Sequence, residues 1–202
     1  LFSLIVAAGW PVWPLLATSI LTLALIIERS LSLRRTRILP AGLAEQAADM
    51  LQRRQTHPEA LSRLHDTSPL GVVLAAVLEH RTDTPERQRQ YVEDAGHAVA
   101  FQLSRYLPAL ATIAVAAPLM GLFGTVIGMI EIFGAWTPTG SDPTQMARGI
   151  SVALYNTAFG ILIAIPALVA HRFFRSRTDI YLDEMERQAA RLSTLTRANT
   201  IQ

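Results

Sequence analysis

Hydrophobic positions gather in three long blocks of this chain. Leu1–Ile27, Tyr106–Ile130 and Gly149–Ala170 are nearly free of charge. A helix rises 1.5 Å per residue, so about 20 residues cross a hydrocarbon layer ~30 Å thick. Each block is long enough to do so. The pattern predicts an all-α membrane protein of three transmembrane helices with helical extensions outside the membrane. Its expected order is transmembrane helix 1 over residues 1–27 and a helical region over 28–105. Transmembrane helix 2 over 106–136, a short loop over 137–146, transmembrane helix 3 over 147–171 and a C-terminal helix over 172–202 follow.

Between the blocks the pattern turns amphipathic. Leu43, Ala47, Met50 and Leu51 mark one helical face. Ser68-Pro69 and Thr84-Pro85 each read as an N-cap followed by proline at the first helical position. The helix from Pro85 carries Tyr91, Ala95, Ala98, Val99 and Gln102 and is expected to run into the second span. Leu182, Met185, Ala189 and Leu192 recur at 3-4-3 spacing, so the third membrane helix is expected to continue as an amphipathic one. Thr137–Pro143 is rich in glycine, proline and aspartate and predicts a turn. No strand pattern or internal repeat stands out.

Charge gives the topology. All eighteen basic residues are arginine. One of them, Arg148, lies between the second and third apolar blocks; the rest fall in Glu28–Arg105 or from Arg172 onward. The positive-inside rule then puts those two regions in the cytoplasm and the N-terminus and the Gly134–Met146 loop on the other side. Trp10, Trp13 and Trp136 sit near the expected outer ends, where interfacial indoles belong. Glu28-Arg29 followed by Arg34, Arg35 and Arg37 reads as a stop-transfer anchor and not as the end of a signal peptide. The net charge is +2. It calls for no nucleic-acid partner, because arginine beside a span is explained by topology and anionic lipid.

Little in the chain suggests an enzyme. There is no cysteine, hence no disulfide framework and no thiolate metal site. His57, His65, His80, His97 and His171 lack partners at metal-ligand spacing. Gly149–Ala153 departs from a hydrolase elbow in its last residue, and no phosphate loop follows Gly121–Gly128. No metal or cofactor is expected.

The informative residues lie in the second and third spans. Gly121, Gly124 and Gly128 line one helix, the last two forming the G-x-x-x-G spacing that lets backbones approach closely in lipid. Gly149, Ala153 and Thr157 fall at i, i+4 and i+8 on the other, with Gly160 beyond. These small residues are the expected packing positions. Thr125 and Thr157 are the polar candidates within the spans: each hydroxyl either bonds back to its own helix or faces a central lumen. Asn156 points about 100° from Thr157, toward a role in joining subunits. Glu131 is the one carboxylate within an apolar run. It is either an interfacial group or a candidate acid at the outer mouth. Pro108, Pro118 and Pro166 invite kinks.

Ala117-Pro118-Leu119-Met120-Gly121-Leu122-Phe123-Gly124-Thr125-Val126-Ile127-Gly128-Met129 resembles the second-span signature of the ExbB/TolQ/MotA proton-channel family, nearest its ExbB/TolQ branch. Gly149-Ile150-Ser151, then Ala153-Leu154, Thr157-Ala158 and Gly160 through Ala164-Ile165-Pro166, resembles its third-span signature. The likeness covers roughly residues 105–175. It implies a multi-pass protein of a bacterial inner membrane, with a periplasmic N-terminus and a cytoplasmic C-terminus. It implies a homo-oligomeric ring, a pentamer, whose second and third spans line a pore, with Thr125 and Thr157 at the pore-lining positions. Inside would sit single-span partners of ExbD or TolR type whose membrane Asp carries the proton, driving work on a TonB- or TolA-type protein. One position departs: many ExbB and TolQ chains have Glu where this one has Val152, so no ring-borne acid is expected at that depth.

The expected function is therefore the ExbB role, a ring subunit that couples proton motive force to a TonB-type partner for nutrient uptake across the outer membrane. A TolQ-type role in envelope integrity is the nearest alternative. A non-conducting membrane scaffold, for which Val152 argues, comes from a different class. A flagellar stator fits less well, since the cytoplasmic insert is short.

Overall fold

The computed structural model describes residues 8–134 and 143–200, without the side chains of residues 145, 199 and 200. Trp136 and most of the expected outer loop lie outside the described residues. Among the described residues eight helices follow one another: α1 (Val12–Ser32), α2 (Arg35–Ile38), α3 (Leu43–Gln52), α4 (Pro58–Thr67), α5 (Pro69–Glu79), α6 (Pro85–Ser104), α7 (Leu107–Gly134) and α8 (Pro143–Thr200). Among the described residues there is no strand. Three helical stretches among the described residues are long and apolar enough to span a bilayer: Val12–Ser32, and one each within Pro85–Gly134 and Met146–Ala198. This is an all-α membrane protein. Packing divides the chain into two compact units, Leu1–Arg29 with Tyr106–Phe173, and Ser30–Arg105 with Phe174–Gln202.

The first unit holds the apolar helices. Its core joins Leu15 of α1 to Ile113 and Ala117 of α7 and to Ile163, Ala164 and Ala167 of α8. Pro11 and Pro14 bracket the start of α1, where absent N–H groups cost little. Hydroxyls within α1 return to their own helix: Thr18 donates to the Pro14 carbonyl at 2.8 Å and Thr22 to the Thr18 carbonyl at 2.7 Å. Apolar side chains such as Ile20, Leu23, Val115, Leu154 and Val169 point outward, a surface suited to lipid and ill suited to water. At the end of α1 the buried Arg29 guanidinium is held by the Glu28 carboxylate at 2.7 Å and lies 4.8 Å over the Tyr106 ring. A charge at this depth needs such partners.

The second unit reverses that arrangement. Its centre is α5, an eleven-residue helix that buries Leu70, Val73, Leu74, Val77 and Leu78. At ~1.5 Å per residue it spans about 16 Å, too short to cross a bilayer and the right length for a buried core helix. Ser68 caps it, accepting from the Gly71 N–H at 3.1 Å, and Pro69 takes the first turn. Thr84 and Pro85 start α6 in the same manner. Gly71 allows α4 to cross closely, for a Cβ there would collide with the Leu64 carbonyl.

One expectation for α6 needs correction. It ends at Ser104, and α7 begins afresh at Leu107. Pro108, the second residue of α7, supplies no N–H for a continuing hydrogen-bond ladder. Its buried residues are Gln88, Val99 and Leu103, while Tyr91 stays half exposed and stacks on His80 at 3.7 Å. Gln88 is buried because its amide is satisfied. It donates to the Val77 carbonyl at 3.0 Å and accepts from the Ser193 hydroxyl at 3.0 Å. The tail of α8 runs on as a stripe of Phe174, Tyr181, Met185, Ala189 and Leu192, all buried. Tyr181 donates to the Leu33 carbonyl at 3.1 Å. A groove of about 590 Å³ lies between α6 and this tail, with Arg89, Glu93, His97, Met185, Glu186 and Arg197 along it.

Candidate functional site

The seam between α7 and the first part of α8 is built from absent side chains. Gly121, Gly124 and Gly128 are buried on one face of α7. Each meets α8 so closely that a Cβ would not fit: at Gly121 it would stand 2.7 Å from the Asn156 carbonyl oxygen, at Gly128 2.5 Å from that of Gly149. At Gly124 it would overlap the Asn156 side chain. From the opposite side, a Cβ on Gly149 would stand 2.7 Å from the Gly128 carbonyl oxygen, and one on Gly160 2.6 Å from that of Ala117. Ala153 lies against Gly128. The order of these contacts, 117 with 160, 121 with 156 and 128 with 149, makes the two helices antiparallel. Association without a hydrophobic driving force relies on such backbone approach.

Thr125 and Thr157 lie on the two helices that form this seam. Both are half-buried. The Thr157 hydroxyl donates across it to the Gly121 carbonyl at 3.5 Å, and the Thr125 hydroxyl donates to the Leu122 carbonyl in its own helix at 2.6 Å. Helix geometry pairs the Gly121 carbonyl with the backbone N–H of Thr125. The Thr157 hydroxyl therefore reaches the turn that carries Thr125. One threonine back-bonds and the other crosses to the partner helix, a division that spacing alone left open.

Three further positions differ in character. Val152 is buried beside Gly9, 3.6 Å from where a Cβ on that glycine would sit. Position 152 is thus filled by an aliphatic side chain packed within the chain. Glu131 is exposed on the last turn of α7. Six residues from Thr125, it lies about 9 Å along the axis and takes no part in the seam.

Asn156, expected to join subunits, is instead fully buried inside one chain. Its Nδ2 donates to the Ala8 carbonyl at 2.7 Å and to that of Val152 at 2.8 Å. Only its place in an apolar run could have marked it, and that mark does not tell an intersubunit from an internal contact. Among the described residues, no group of three or more histidine, aspartate or glutamate side chains is placed to hold a metal.

Comparison with known proteins adds to this geometry. The model of the MotA/TolQ/ExbB proton channel family matches residues 65–187. Biopolymer transport protein exbB1 of Vibrio cholerae is 31% identical over 189 residues, covering 88% of this chain and 80% of its own. An ExbB-like biopolymer transport protein of Synechocystis is 31% identical over 175 residues, 84% of this chain and 82% of its own. The Tol-Pal system protein TolQ of Pseudomonas aeruginosa is 39% identical over 82 residues, covering 40% of this chain and 36% of its own.

Proposed function

We infer a function from one premise: the chain belongs to the MotA/TolQ/ExbB proton channel family. We propose that it is a ring subunit of an inner-membrane proton channel in the ExbB role, coupling proton motive force to a TonB-type partner. In this reading α7 and the apolar part of α8 line a pore through Thr125 and Thr157. A single-span partner of ExbD type inside the ring carries the proton on a membrane Asp. The N-terminus is periplasmic and the C-terminus cytoplasmic, as the arginine distribution supports. The ring is a homo-oligomer, a pentamer, and the outward apolar faces of the spans meet neighbouring copies or lipid.

The observation that carries the proposal is the convergence of Thr157 on the turn that holds Thr125. Hydroxyls at one level of two adjacent spans can hydrogen-bond an ionisable group brought between them. Val152 cannot relay a proton, so the partner's Asp is the carrier and the ring supplies the polar wall. Catalysis in the enzymatic sense is not part of this reading.

The test is proton flux into liposomes holding this chain and its single-span partner. Flux is expected from the unsubstituted complex and not when the partner's membrane Asp is changed to Asn. Thr125→Ala with Thr157→Ala is expected to abolish flux and transport-linked growth while the ring still assembles. Full activity in that double variant sinks the pore-lining role. Flux that survives the Asp change would return the carrier role to Glu131.

A TolQ role is the second reading, favoured by the likeness to the Pseudomonas TolQ. Deletion separates the two: loss of nutrient uptake with an intact envelope supports the ExbB role, and a leaky envelope the TolQ role.

A further inference from the structure

Asn156 is an amide with no solvent exposure in an apolar stretch of α8. Burying such a group without partners costs about 2–7 kcal/mol, so its bonds are informative. Both Nδ2 protons are used, one within its own turn on Val152 and one on Ala8, 148 positions away and just before α1. Two carbonyls on that side fix which end of the amide faces them, because oxygen there would meet oxygen. On its other flank, the Asn156 side chain occupies the space left by Gly124, and its backbone carbonyl lies against Gly121. One residue thus touches the turn before α1, helix α7 and its own helix.

The neighbouring Thr157 hydroxyl makes a long bond to Gly121, 3.5 Å, at the weak end of the useful range. The Asn156 bonds, at 2.7 and 2.8 Å, are well formed. Of these bonds the one to Val152 lies within α8, and the one to Ala8 is the strong bond that ties its rotation to another part of the fold. Adjacent residues project about 100° apart, so whatever fixes Asn156 also aims Thr157.

We propose that Asn156 is a positioning residue: its bond to Ala8 and its seat against Gly124 set the rotation of α8 that turns Thr157 toward the Thr125 turn, while its bond to Val152 orients the amide within α8. The functional consequence rests on the channel reading above; the geometry does not. The groups facing the amide are the Ala8 and Val152 carbonyls and the backbones of Gly121 and Gly124.

Two measurements test it. The chain has no cysteine, so Thr157→Cys gives this chain one target for a membrane-impermeant thiosulfonate reagent in native membranes. Labelling is expected with Asn156 present, and about tenfold slower with Asn156→Leu, a coupling usual for contacting residues. Equal labelling in the two, or none with Asn156 present, overturns the proposal.

The second measurement is flux of the reconstituted complex across pH, normalised to the unsubstituted protein at each pH. Asn156→Asp keeps one O–H donor when protonated and none when ionised. It is expected near the unsubstituted rate in acid, falling to the Asn156→Leu rate as pH rises. Adding Asn156→Leu to Thr157→Ala is expected to cost no further flux. Asp and Leu variants that behave alike at every pH would reduce Asn156 to a space filler. If Asn156→Leu fails to assemble, the Asp profile decides. If the unsubstituted complex conducts nothing, the channel reading fails and the labelling alone decides the role of Asn156.

Discussion

The apolar unit and the α5-centred unit solve the same packing problem in opposite ways. In the first, contact is made by removing side chains: Gly121, Gly124, Gly128, Gly149 and Gly160 bring backbones together while leucine, isoleucine and valine face outward. In the second, leucine and valine fill the interior and charged residues face outward. Burying an apolar side chain is favourable only where the alternative is water. Helices immersed in lipid gain little from it and rely on close backbone approach and a few polar contacts. Helix α8 follows both rules in one continuous stretch, offering glycine, asparagine and threonine early and phenylalanine, tyrosine, methionine and leucine later.

The contrast is broken most severely by placing a side chain in the glycine seam. Gly124→Val is expected to separate α7 from α8, since its Cβ overlaps Asn156, which its hydrogen bonds hold in place, and an overpacked seam of this kind relieves the overlap only by moving backbone. Size-exclusion profiles in detergent should show loss of the native species; an unchanged profile would mean that the seam opens freely.

Next is Leu74→Ala in α5. This fully buried side chain should cost about 2–5 kcal/mol, read as a lowered melting temperature. The exposed Val115→Ala in α7 should leave it nearly unchanged, and a comparable loss there would erase the distinction between the units.

Ser68→Ala removes the cap that accepts from Gly71 and should cost about 1 kcal/mol. Amide exchange in the first turn of α5 would report it, and unaltered protection would leave Pro69 as the sufficient start signal.

The smallest effect concerns Arg89 and Glu93. Hydrogen bonding to Glu93 at 2.7 Å, and that carboxylate's charge, raise the arginine above its ordinary value, with Glu186 adding. A raised basic group contributes stability that is present below its unfolded value and lost only as pH climbs through the raised one. That window lies beyond ordinary arginine titration, so stability from this pair is flat between about pH 5 and 9. Both groups are exposed, where ion pairs are screened. Glu93→Gln should leave the melting temperature unchanged across that range, and a pH-dependent drop would contradict this.

Particular residues show where sequence reasoning reached and where it stopped. The apolar runs marked the spans, since length and lack of charge are local properties. Ser68-Pro69 and Thr84-Pro85 marked helix starts because capping is decided within four residues. The amphipathic tail of α8 was legible from Met185, Ala189 and Leu192. By contrast, the buried face of α6 was not legible. Gln88 looks like a surface residue until Val77 and Ser193, distant in sequence, satisfy its amide. The α5 core helix was hard to distinguish by pattern, being apolar on all sides and flanked only by turn signals.

The sequence by itself determined the membrane class, the three apolar runs, the family and the small residues that two spans present. These follow from composition, spacing and signatures carried by contiguous residues. The tertiary structure alone decided which threonine crosses the seam, that Val152 is packed beside Gly9, and that Asn156 reaches Ala8. Each of these depends on groups far apart in the chain, and a hydrogen bond or a steric overlap exists only once folding has set their distance.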